Sequence, residues 1–369
     1  MTIRLGKSGR MLFIELLEVD MTAKKEKTKK PHPWWGYPLW ALGVLAALAV
    51  MVLLGARLYF RIPVRDYYKA SEQGFLIPDC DRGFVAQGIA YDEETDRFLV
   101  NGYQKDNIAS PIYIIAPGAK KPDKTIRMAM PDGADYTGHA GGIARYGDYI
   151  YVADGGEHRL LVFSSQSIYD AADGSSVAAL GTFDTAVSDT DYVGPAFVTV
   201  DGDRLVTGEF YRNPNYQTPE SHKFTTLAGD YQQALAVEYK LDGQARYGID
   251  TTPVKAYTLP DLAQGMCFDG GRIYVSTSWG TAFSHIFQYD EARLQLQGNI
   301  ALLGMELPLY ALDSAALLVD GVIAPMSEEI VIVDGKLYTM CESASNKYIF
   351  GKFTSAKWCY ATDVETFFR

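Results

Sequence analysis

The sequence lacks the short motifs that mark several common kinds of active site. It has no glycine-rich phosphate loop, no Gly-x-Ser-x-Gly turn and no His-Glu-x-x-His pair. It has four cysteines among 369 residues, and no Cys-x-x-Cys spacing. Phosphate-loop chemistry, covalent serine catalysis and structural zinc therefore have no support in the sequence.

Basic residues are also scarce beyond the N-terminus. Residues 1–60 hold 9 Lys and Arg against 4 Asp and Glu, whereas residues 61–369 hold 25 against 41. A nucleic-acid partner needs a basic face, so this balance argues against one. The 48% hydrophobic residues, 13% aromatic residues and 34 glycines suit a large β-rich core with many turns.

An uncharged segment, Leu39–Ala56, is close to the ~20 apolar residues that a membrane-spanning helix needs. Lysines 24–30 precede it, and tryptophans lie at its near edge. This pattern predicts a cytoplasmic basic tail at 1–38, a transmembrane anchor in the lipid bilayer at 39–60, and an extracytoplasmic remainder. The predicted location is the cell membrane, with a single pass.

Alternatives for this N-terminal region stay open. A cleaved signal peptide could end at Ala56, but Leu54 fits the small-residue cleavage pattern poorly and the apolar span is long for a signal core. A buried helix is disfavoured because the segment is apolar all round. Met21, just before the lysines, is a second candidate for the start of the chain.

A hairpin phrase recurs along the rest of the chain. Its clearest copy, Gln264–Trp279, reads as two apolar strands around the turn Asp269-Gly270-Gly271. Related copies lie at 87–103, 141–154, 196–209 and 329–342. Repetition at this scale predicts an all-β propeller of five four-stranded blades at 84–369, after a stem at 61–83.

The outer strands are less clearly marked. We expect Ala301–Gly304 as the fourth strand of blade four and Tyr348–Phe353 as the third strand of blade five. A strand around Phe75–Ile77 would complete blade five and close the ring. The apolar stretch Glu306–Ala324 leaves a sixth blade open as an alternative. A disulfide between Cys80 and Cys359 would lock the closure.

One face of the propeller should carry function, because the starts of first strands, the ends of second strands and the long connections all meet there. The candidate catalytic residues on it are Asp154, Glu209, Glu328, Glu329, Glu342 and His139. The candidate ligand-binding residues are Gln87, Tyr103, His158, Tyr211, Gln264, Trp279, His285 and Lys347. Carboxylates that converge at one mouth repel one another unless a cation or a shared proton balances them.

Within this set, we expect Glu329 and Glu342 to face each other, since they lie at adjoining ends of two strands. One of them should have a raised pKa and serve as a general acid, with Glu209 or Asp154 as the ionised partner. The alternative is structural, in which these carboxylates and the Gln side chains bond neighbouring groups around the channel.

Five phrases occur in an order that resembles a group of bacterial exported β-propeller proteins with no established activity. They are Gln87–Ile89, His139–Ile143, Gln264–Met266, Pro325–Ile330 and Glu342–Tyr348. A looser similarity, to NHL and gluconolactonase-type propellers, rests on phrases such as Ile150–Asp154. The resemblance implies a propeller and export, and it implies no reaction.

Three classes of function stay open. The first is a hydrolase or lyase that acts on carbohydrate or a cell-envelope polymer through two carboxylates. The second is a propeller that binds a small molecule, a polysaccharide or a protein without catalysis. The third is a metal-assisted lactonase or phosphoesterase, in which acidic groups hold Ca²⁺. The sequence shows no other cofactor signature.

Overall fold

Five antiparallel hairpins form the inner part of the fold, each around a tight turn rich in Asp and Gly. The computed structural model describes residues 36–348, 350–354 and 357–369. In the hairpin of the clearest repeat, Gly270 and Gly271 have positive φ, 53° and 76°. Turns of this kind need left-handed backbone, which glycine adopts without strain. The glycines of the repeated phrase are therefore explained by the left-handed backbone of the turn.

The innermost strands of five sheets contact one another in a closed ring. In chain order they are Phe84–Asp92, Ile143–Tyr146, Phe197–Asp201, Ala263–Asp269 and Ser327–Val333. We number the blades 1 to 5 in this order. The predicted five-bladed, all-β propeller is confirmed, and the described residues form no sixth blade.

The N-terminal helix α1 runs from Gly36 to Arg61. Within it, Tyr37–Arg61 is long and apolar enough to cross a membrane, with a mean hydropathy of 2.5. A signal sequence or a core helix of a soluble protein meets the same criteria of length and composition. The predicted span at 39–60 falls inside this helix, and residues 1–35 of the predicted tail lie outside the described residues. The chain forms two compact units, Met1–Gly55 and Ala56–Arg369.

Blades 1 and 2 follow the predicted order of strands. Blade 1 contains Phe84–Asp92, Arg97–Gln104, Pro111–Ile115 and Lys124–Ala129, and the short strand Ser176–Ala178 joins its outer edge in parallel. Blade 2 contains Ile143–Tyr146, Tyr149–Asp154, Arg159–Ser164 and Gly181–Asp184. Helix α2, Arg65–Ala70, precedes blade 1, and helix α3, Ser165–Asp170, follows the third strand of blade 2.

Blade 3 is larger than predicted. It contains Phe197–Asp201, Arg204–Gly208, Ala234–Leu241 and Ile249–Leu259. A hairpin of Gln295–Leu302 and Met305–Ala311 extends it, because Ala256 to Thr258 pair in parallel with Leu309 to Ala311. Two small two-stranded sheets lie beside these blades: Ala186–Ser188 with Asp191–Tyr192, and Phe224–Thr225 with Tyr231–Gln232.

Blade 4 corrects the prediction for its outer strand. It contains Ala263–Asp269, Arg272–Thr277, Ser284–Asp290 and Leu317–Ile323. The expected fourth strand, Ala301–Gly304, is wrong, because that segment belongs to the hairpin on blade 3. The stretch Glu306–Ala324 is thus divided between two blades, which leaves nothing from which to build a sixth.

Blade 5 joins both ends of the propeller. It contains Ser327–Val333, Lys336–Cys341, Trp358–Asp363 and, outermost, the early strand Ser71–Leu76. The predicted closing strand near Phe75–Ile77 is therefore confirmed. The predicted third strand at Tyr348–Phe353 is wrong, because Phe350–Phe353 forms a 3-10 turn and the third strand follows it. A short helix, α4, Val364–Phe367, ends the chain.

Short 3-10 turns occupy several of the connections. They are Cys80–Arg82, Gly155–Glu157, Glu220–His222, Arg246–Gly248, Glu291–Arg293 and Glu342–Ala344.

Aromatic packing seals the closure between blades 5 and 1. Phe75 of the closing strand is fully buried, and its ring centroid lies 5.0 Å from that of Phe98 in blade 1. Phe98 in turn lies 4.6 Å from Tyr338 in blade 5. All four cysteines are free thiols, so the predicted Cys80–Cys359 disulfide is wrong. Apolar burial, rather than a covalent link, holds the ends of the ring together.

Candidate functional site

The carboxylate of Glu329 lies at the centre of the ring and links four blades. From blade 5, its Oε2 accepts hydrogen bonds from the backbone N–H of Ile89 (2.9 Å) and Ile143 (2.8 Å). Its Oε1 accepts one from the N–H of Val198 at 3.1 Å. Burial raises the pKa of Glu329, and the three amide donors oppose this rise because each favours the ionised form. Glu329 thus ties the innermost strands of blades 1, 2 and 3 to blade 5.

Two glycines of the repeated phrases leave room for this carboxylate. A Cβ atom on Gly142 would lie 2.1 Å from Oε1 of Glu329, and a Cβ on Gly265 would lie 2.6 Å from its Cα. Neither distance is sterically possible. Gly142 and Gly265 are therefore required by the close approach of Glu329.

Seven side chains gather at the mouth of the ring between blades 5 and 1. We call this group the axial cluster; it consists of Gln87, Tyr103, His139, Glu328, Glu342, Lys347 and Tyr348. Six of the seven were among the predicted site residues. The seventh, Tyr348, belongs to the same phrase as Glu342 and could have been found from it.

A chain of hydrogen bonds centred on Gln87 connects the cluster. The Gln87 amide nitrogen donates to the carbonyl of Ala86 (3.0 Å) and to Oε2 of Glu342 (3.3 Å). Its amide oxygen lies 2.6 Å from Nε2 of His139. The hydroxyl of Tyr348 donates to the same Oε2 of Glu342 at 2.9 Å. Glu342 therefore has two donors on one oxygen.

The Gln87 contacts also fix the tautomer of His139. Because the Gln87 oxygen can only accept, Nε2 of His139 must carry the proton. Burial among protein atoms and the positive charge of Lys347 lower the pKa of His139 to about 4. The ring is still open to solvent on one side. This shift favours the uncharged imidazole at neutral pH, and Nδ1 makes no hydrogen bond within the described residues.

Glu328 and Glu342 are the two carboxyl groups of the cluster that influence each other. Glu328 is only 2% exposed, and its Oε1 makes no hydrogen bond within the described chain. Burial, and then the charges of Glu342 and Glu329, raise the pKa of Glu328. Burial also raises the pKa of Glu342, against the opposing effect of Tyr348, Lys347 and Gln87.

The expected partnership of Glu329 with Glu342 needs correction. Glu329 turns to the axis and bonds three amides, whereas Glu342 bonds Gln87 and Tyr348 and acts on Glu328. The β-bulge between Ser327 and Ile330 explains the difference, because it changes the face to which each glutamate points. A raised pKa is present, as expected, but the pair is Glu328 and Glu342.

Aromatic rings and a cation form the outer wall of the cluster. Lys347 donates to the hydroxyl of Tyr103 and lies 4.6 Å from the centroid of that ring. The rings of Tyr103 and His139 are 4.3 Å apart. Burial raises the pKa of Tyr103. This wall presents a positive charge, two phenol groups and an imidazole to anything that enters the mouth.

A cavity of about 220 Å³ opens beside Lys347 and Tyr348. Its other lining residues are Phe60, Thr281, Pro325, Met326, Ser343, Gly351 and Thr354. Most of this lining is apolar. The axial cluster is therefore bordered by a hydrophobic recess, the usual surroundings of a ligand site with a few placed polar groups.

Asp154 and Glu209 do not join the cluster, although both were expected to act across the channel. Asp154 accepts from the hydroxyl of Tyr136 (2.9 Å) and from Arg159 (3.0 Å). Glu209 lies 2.9 Å from Nδ1 of His222 and accepts from the N–H of Leu235 at 3.0 Å. The partners of Asp154 are Arg159 of its own blade and Tyr136 of the preceding connection, and those of Glu209 are Leu235 of its own blade and His222 of the following loop.

The histidines predicted in other blades are held locally. His158 stacks on Tyr192 at 3.8 Å, and its buried Nδ1 has no hydrogen-bond partner within the described residues. His285 lies 2.7 Å from Asp320 on the outer strands of blade 4. Neither makes a contact with the axial cluster within the part of the chain that the structure describes.

The predicted residues Tyr211, Gln264 and Trp279 make local contacts within blades 3 and 4. Trp279 is 38% exposed and lies beneath the guanidinium of Arg212 at 3.8 Å. Tyr211 is buried in the core between these blades, so it is not available to a ligand at the surface. Gln264 donates to the hydroxyl of Ser278 at 3.5 Å. The Trp279–Arg212 stack was not anticipated from the sequence.

The described residues, 36–348, 350–354 and 357–369, contain no group of three or more His, Cys, Asp or Glu side chains that could hold a metal ion. The sequence had left Ca²⁺ open as a cofactor of the acidic groups. The carboxylates that suggested it are instead distributed among separate local partners, apart from Glu328 and Glu342.

No protein-family model and no curated protein matches the chain. Among solved structures, the chain is similar to glutaminyl cyclase from Myxococcus xanthus, at 12% identity over 79% of this chain and 97% of that one, with a TM-score of 0.39. It is also similar to a chain of a nidogen/laminin complex, at 13% identity over 70% and 73%, with a TM-score of 0.35. A computationally designed protein, Ika4, matches at 9% identity over 58% and 90%, with a TM-score of 0.26.

Proposed function

We propose that this protein is a membrane-anchored, extracytoplasmic propeller enzyme that uses the axial cluster for general acid–base chemistry. The proposed reaction is hydrolysis or elimination on a carbohydrate or a related cell-envelope polymer. The observation that carries the proposal is the pair of neighbouring carboxyl groups, Glu328 and Glu342, both with raised pKa. A carboxyl group that keeps its proton near neutral pH can act as a general acid.

The proposed roles follow from the exposure of each group. Glu342 is half-buried and reaches the mouth, so it is the proposed proton donor. Glu328 is fully enclosed, and the negative charge of Glu342 raises the pKa of Glu328, so the two coupled carboxyl groups are proposed to hold one proton in common. The neutral His139, with its free Nδ1, is the proposed base. Lys347 and Tyr103 would contact the substrate.

The carbohydrate class is supported by the lining of the mouth. Phenol rings offer flat apolar surfaces with a hydroxyl at one edge, and Gln87 and Lys347 add polar groups that suit a ligand with many hydroxyls. The hydrophobic recess beside Tyr348 would take a less polar part of the same ligand. An uncharged polysaccharide does not need a site with a large excess of charge of one sign.

The test compares full-length wild type with Glu342→Gln on a panel of envelope polysaccharides. Reducing ends report hydrolysis, and the absorbance of unsaturated sugars reports elimination. We expect Glu342→Gln to lower turnover at least about 100-fold, the usual contribution of a positioned acid, with an unchanged melting temperature. Glu306→Gln is the matched control, since Glu306 is exposed at the edge of blade 3.

A second candidate, a propeller that binds such a ligand without catalysis, is favoured by one observation. The exposed end of Glu342 is already bonded by Gln87 and Tyr348, as a purely structural carboxylate would be. Calorimetric binding of a polysaccharide with no product, equal for wild type and Glu342→Gln, would select this candidate and exclude the enzyme.

A further inference from the structure

A second cavity, of about 800 Å³, is lined by positive charge and shares Gly351 with the hydrophobic recess beside the mouth. Five basic side chains border it: Arg57, Lys120, Lys121, Lys352 and Lys357. Among the residues that the structure describes, the acidic ones in the lining are Asp79 and Asp81. Four of the five belong to residues 61–369, which hold 25 basic against 41 acidic residues, so this local excess of positive charge is the reverse of the balance in that region.

The five basic side chains are not needed for internal ion pairs. None of them pairs with a carboxylate within residues 36–348, 350–354 and 357–369. Asp79, by contrast, already accepts from the hydroxyl of Tyr113 at 2.9 Å and pairs with Arg82 at 3.5 Å. The cavity therefore presents unneutralised cations to solvent.

Backbone hydrogen bonds hold the cavity walls in place. The N–H of Leu76 donates to the carbonyl of Ala119 (2.9 Å), and the N–H of Ile77 donates to that of Lys357 (3.0 Å). The N–H of Asn346 donates to the carbonyl of Cys80 at 2.6 Å. These bonds join three separate segments, so the basic groups are presented by a preformed recess rather than by one free loop.

Arg57 connects this recess with helix α1, because it lies four residues before the end of the helix at Arg61. If α1 crosses a bilayer, the recess lies next to the residues that leave it. Lipid phosphates are concentrated at that level, and Lys and Arg side chains form charge-assisted hydrogen bonds with phosphate oxygens. We propose that the basic recess binds the phosphate of an anionic membrane phospholipid.

This inference goes beyond the axial chemistry and does not depend on it; it rests on α1 as a membrane span. The phosphate would receive charge-assisted hydrogen bonds from Lys120 and Lys121 on one wall and from Lys352 and Lys357 on the other. A bound headgroup would add a second attachment to the membrane beside the helix.

The experiment titrates full-length protein, in uncharged detergent, with short-chain phosphatidylglycerol or phosphatidylcholine and follows bound lipid by native mass spectrometry. We expect phosphatidylglycerol to bind in preference to phosphatidylcholine. Lys121→Gln should weaken this binding about fivefold and Lys120→Gln/Lys121→Gln about 25-fold, from the attraction of one lysine to an anionic headgroup. Lys240→Gln, an exposed lysine of blade 3, should leave it unchanged.

Four results would overturn the proposal. Equal binding of phosphatidylglycerol and phosphatidylcholine would show that the recess does not distinguish an anionic headgroup from a neutral one. Equal losses in Lys240→Gln and Lys121→Gln would show a diffuse effect of net charge. Displacement of the lipid by inorganic phosphate at equal concentration would assign the recess to a soluble anion. The double variant Lys352→Gln/Lys357→Gln changes the opposite wall of the recess. Its binding of phosphatidylglycerol should also be weaker than that of wild type, and unchanged binding would show that the loss in the Lys120 and Lys121 variants is a local folding defect. Turnover at the axial cluster should be the same in all these variants.

Discussion

Replacement of Glu329 by Gln tests whether one buried carboxylate holds the propeller closed. Gln has nearly the same shape, but one of its two terminal atoms is an NH₂ group that cannot accept a hydrogen bond. The three backbone N–H groups that meet Glu329, from Ile89, Ile143 and Val198, need acceptors on both oxygens. Whichever way the amide is turned, at least one N–H loses its partner.

The expected loss of stability in Glu329→Gln is worked out for the less costly of the two orientations of the new amide. With the NH₂ group at the Oε1 position, only the N–H of Val198 is left unsatisfied, which costs about 1–3 kcal/mol. The bonds from Ile89 and Ile143 persist but lose the charge on their acceptor, at about 1 kcal/mol each. The total is about 3–5 kcal/mol. For a domain of this size, that loss corresponds to a melting temperature about 5–8 °C lower.

The assay is thermal unfolding of full-length protein in detergent, followed by circular dichroism, with a urea titration as a second measure. Glu306→Gln, which removes the same charge from an exposed position, should melt within about 1 °C of wild type. A melting temperature for Glu329→Gln that matches wild type would refute the reasoning. It would show that the backbone N–H groups of blades 1, 2 and 3 do not need both acceptor oxygens of this side chain.

Three further predictions concern stability. Burial and neighbouring charges raise the folded-state pKa of Glu328 above its ordinary value of about 4.3, so the folded protein holds this proton more tightly and its stability should fall as pH rises above about 4.3. In Glu328→Gln, the urea midpoint should depend less on pH between pH 4.5 and pH 8. An unchanged dependence on pH would exclude the raised pKa. His222→Ala, which removes the histidine partner of buried Glu209, should lower the free energy of unfolding in urea by about 3 kcal/mol. His285→Ala, at the exposed pair with Asp320, should lower it by less than about 1 kcal/mol. Equal losses would contradict the difference in burial between the two pairs. Phe75→Ala, which removes a fully buried ring from the closing strand, should cost about 3–5 kcal/mol by the same measurement, and a loss below about 1 would show that the ring closes without it.

The inner part of the fold was predictable because its signals are local. Turns such as Asp334-Gly335 lie within a few residues of both strands that they join, and positive φ at both positions explains the residue choice. The outer strands depend on distant pairings. Leu309 joins blade 3 only through Ala256, 53 residues earlier, and no local pattern distinguishes this from an edge strand of blade 4. The closing strand was found because ring closure demands one.

The site was predictable as a face but not as a set of contacts. Gln87 and Glu342 meet from positions 255 residues apart, and the repeat placed both at the same end of their blades. Which glutamate turns to the axis depends on the bulge between Ser327 and Ile330, which the sequence does not mark. The same limit applies to Glu209, whose partner His222 comes from an irregular loop.

The central claim is that Glu328 and Glu342 together keep a proton at neutral pH in the axial cluster. Infrared difference spectroscopy at pH 7 measures this directly, because a protonated carboxyl group has a carbonyl band that a carboxylate lacks. Full-length wild type is compared with Glu328→Gln/Glu342→Gln. Wild type should show a protonated carboxyl band that is missing from the double variant. Identical spectra in that region would contradict it, and with it the assignment of Glu342 as an acid.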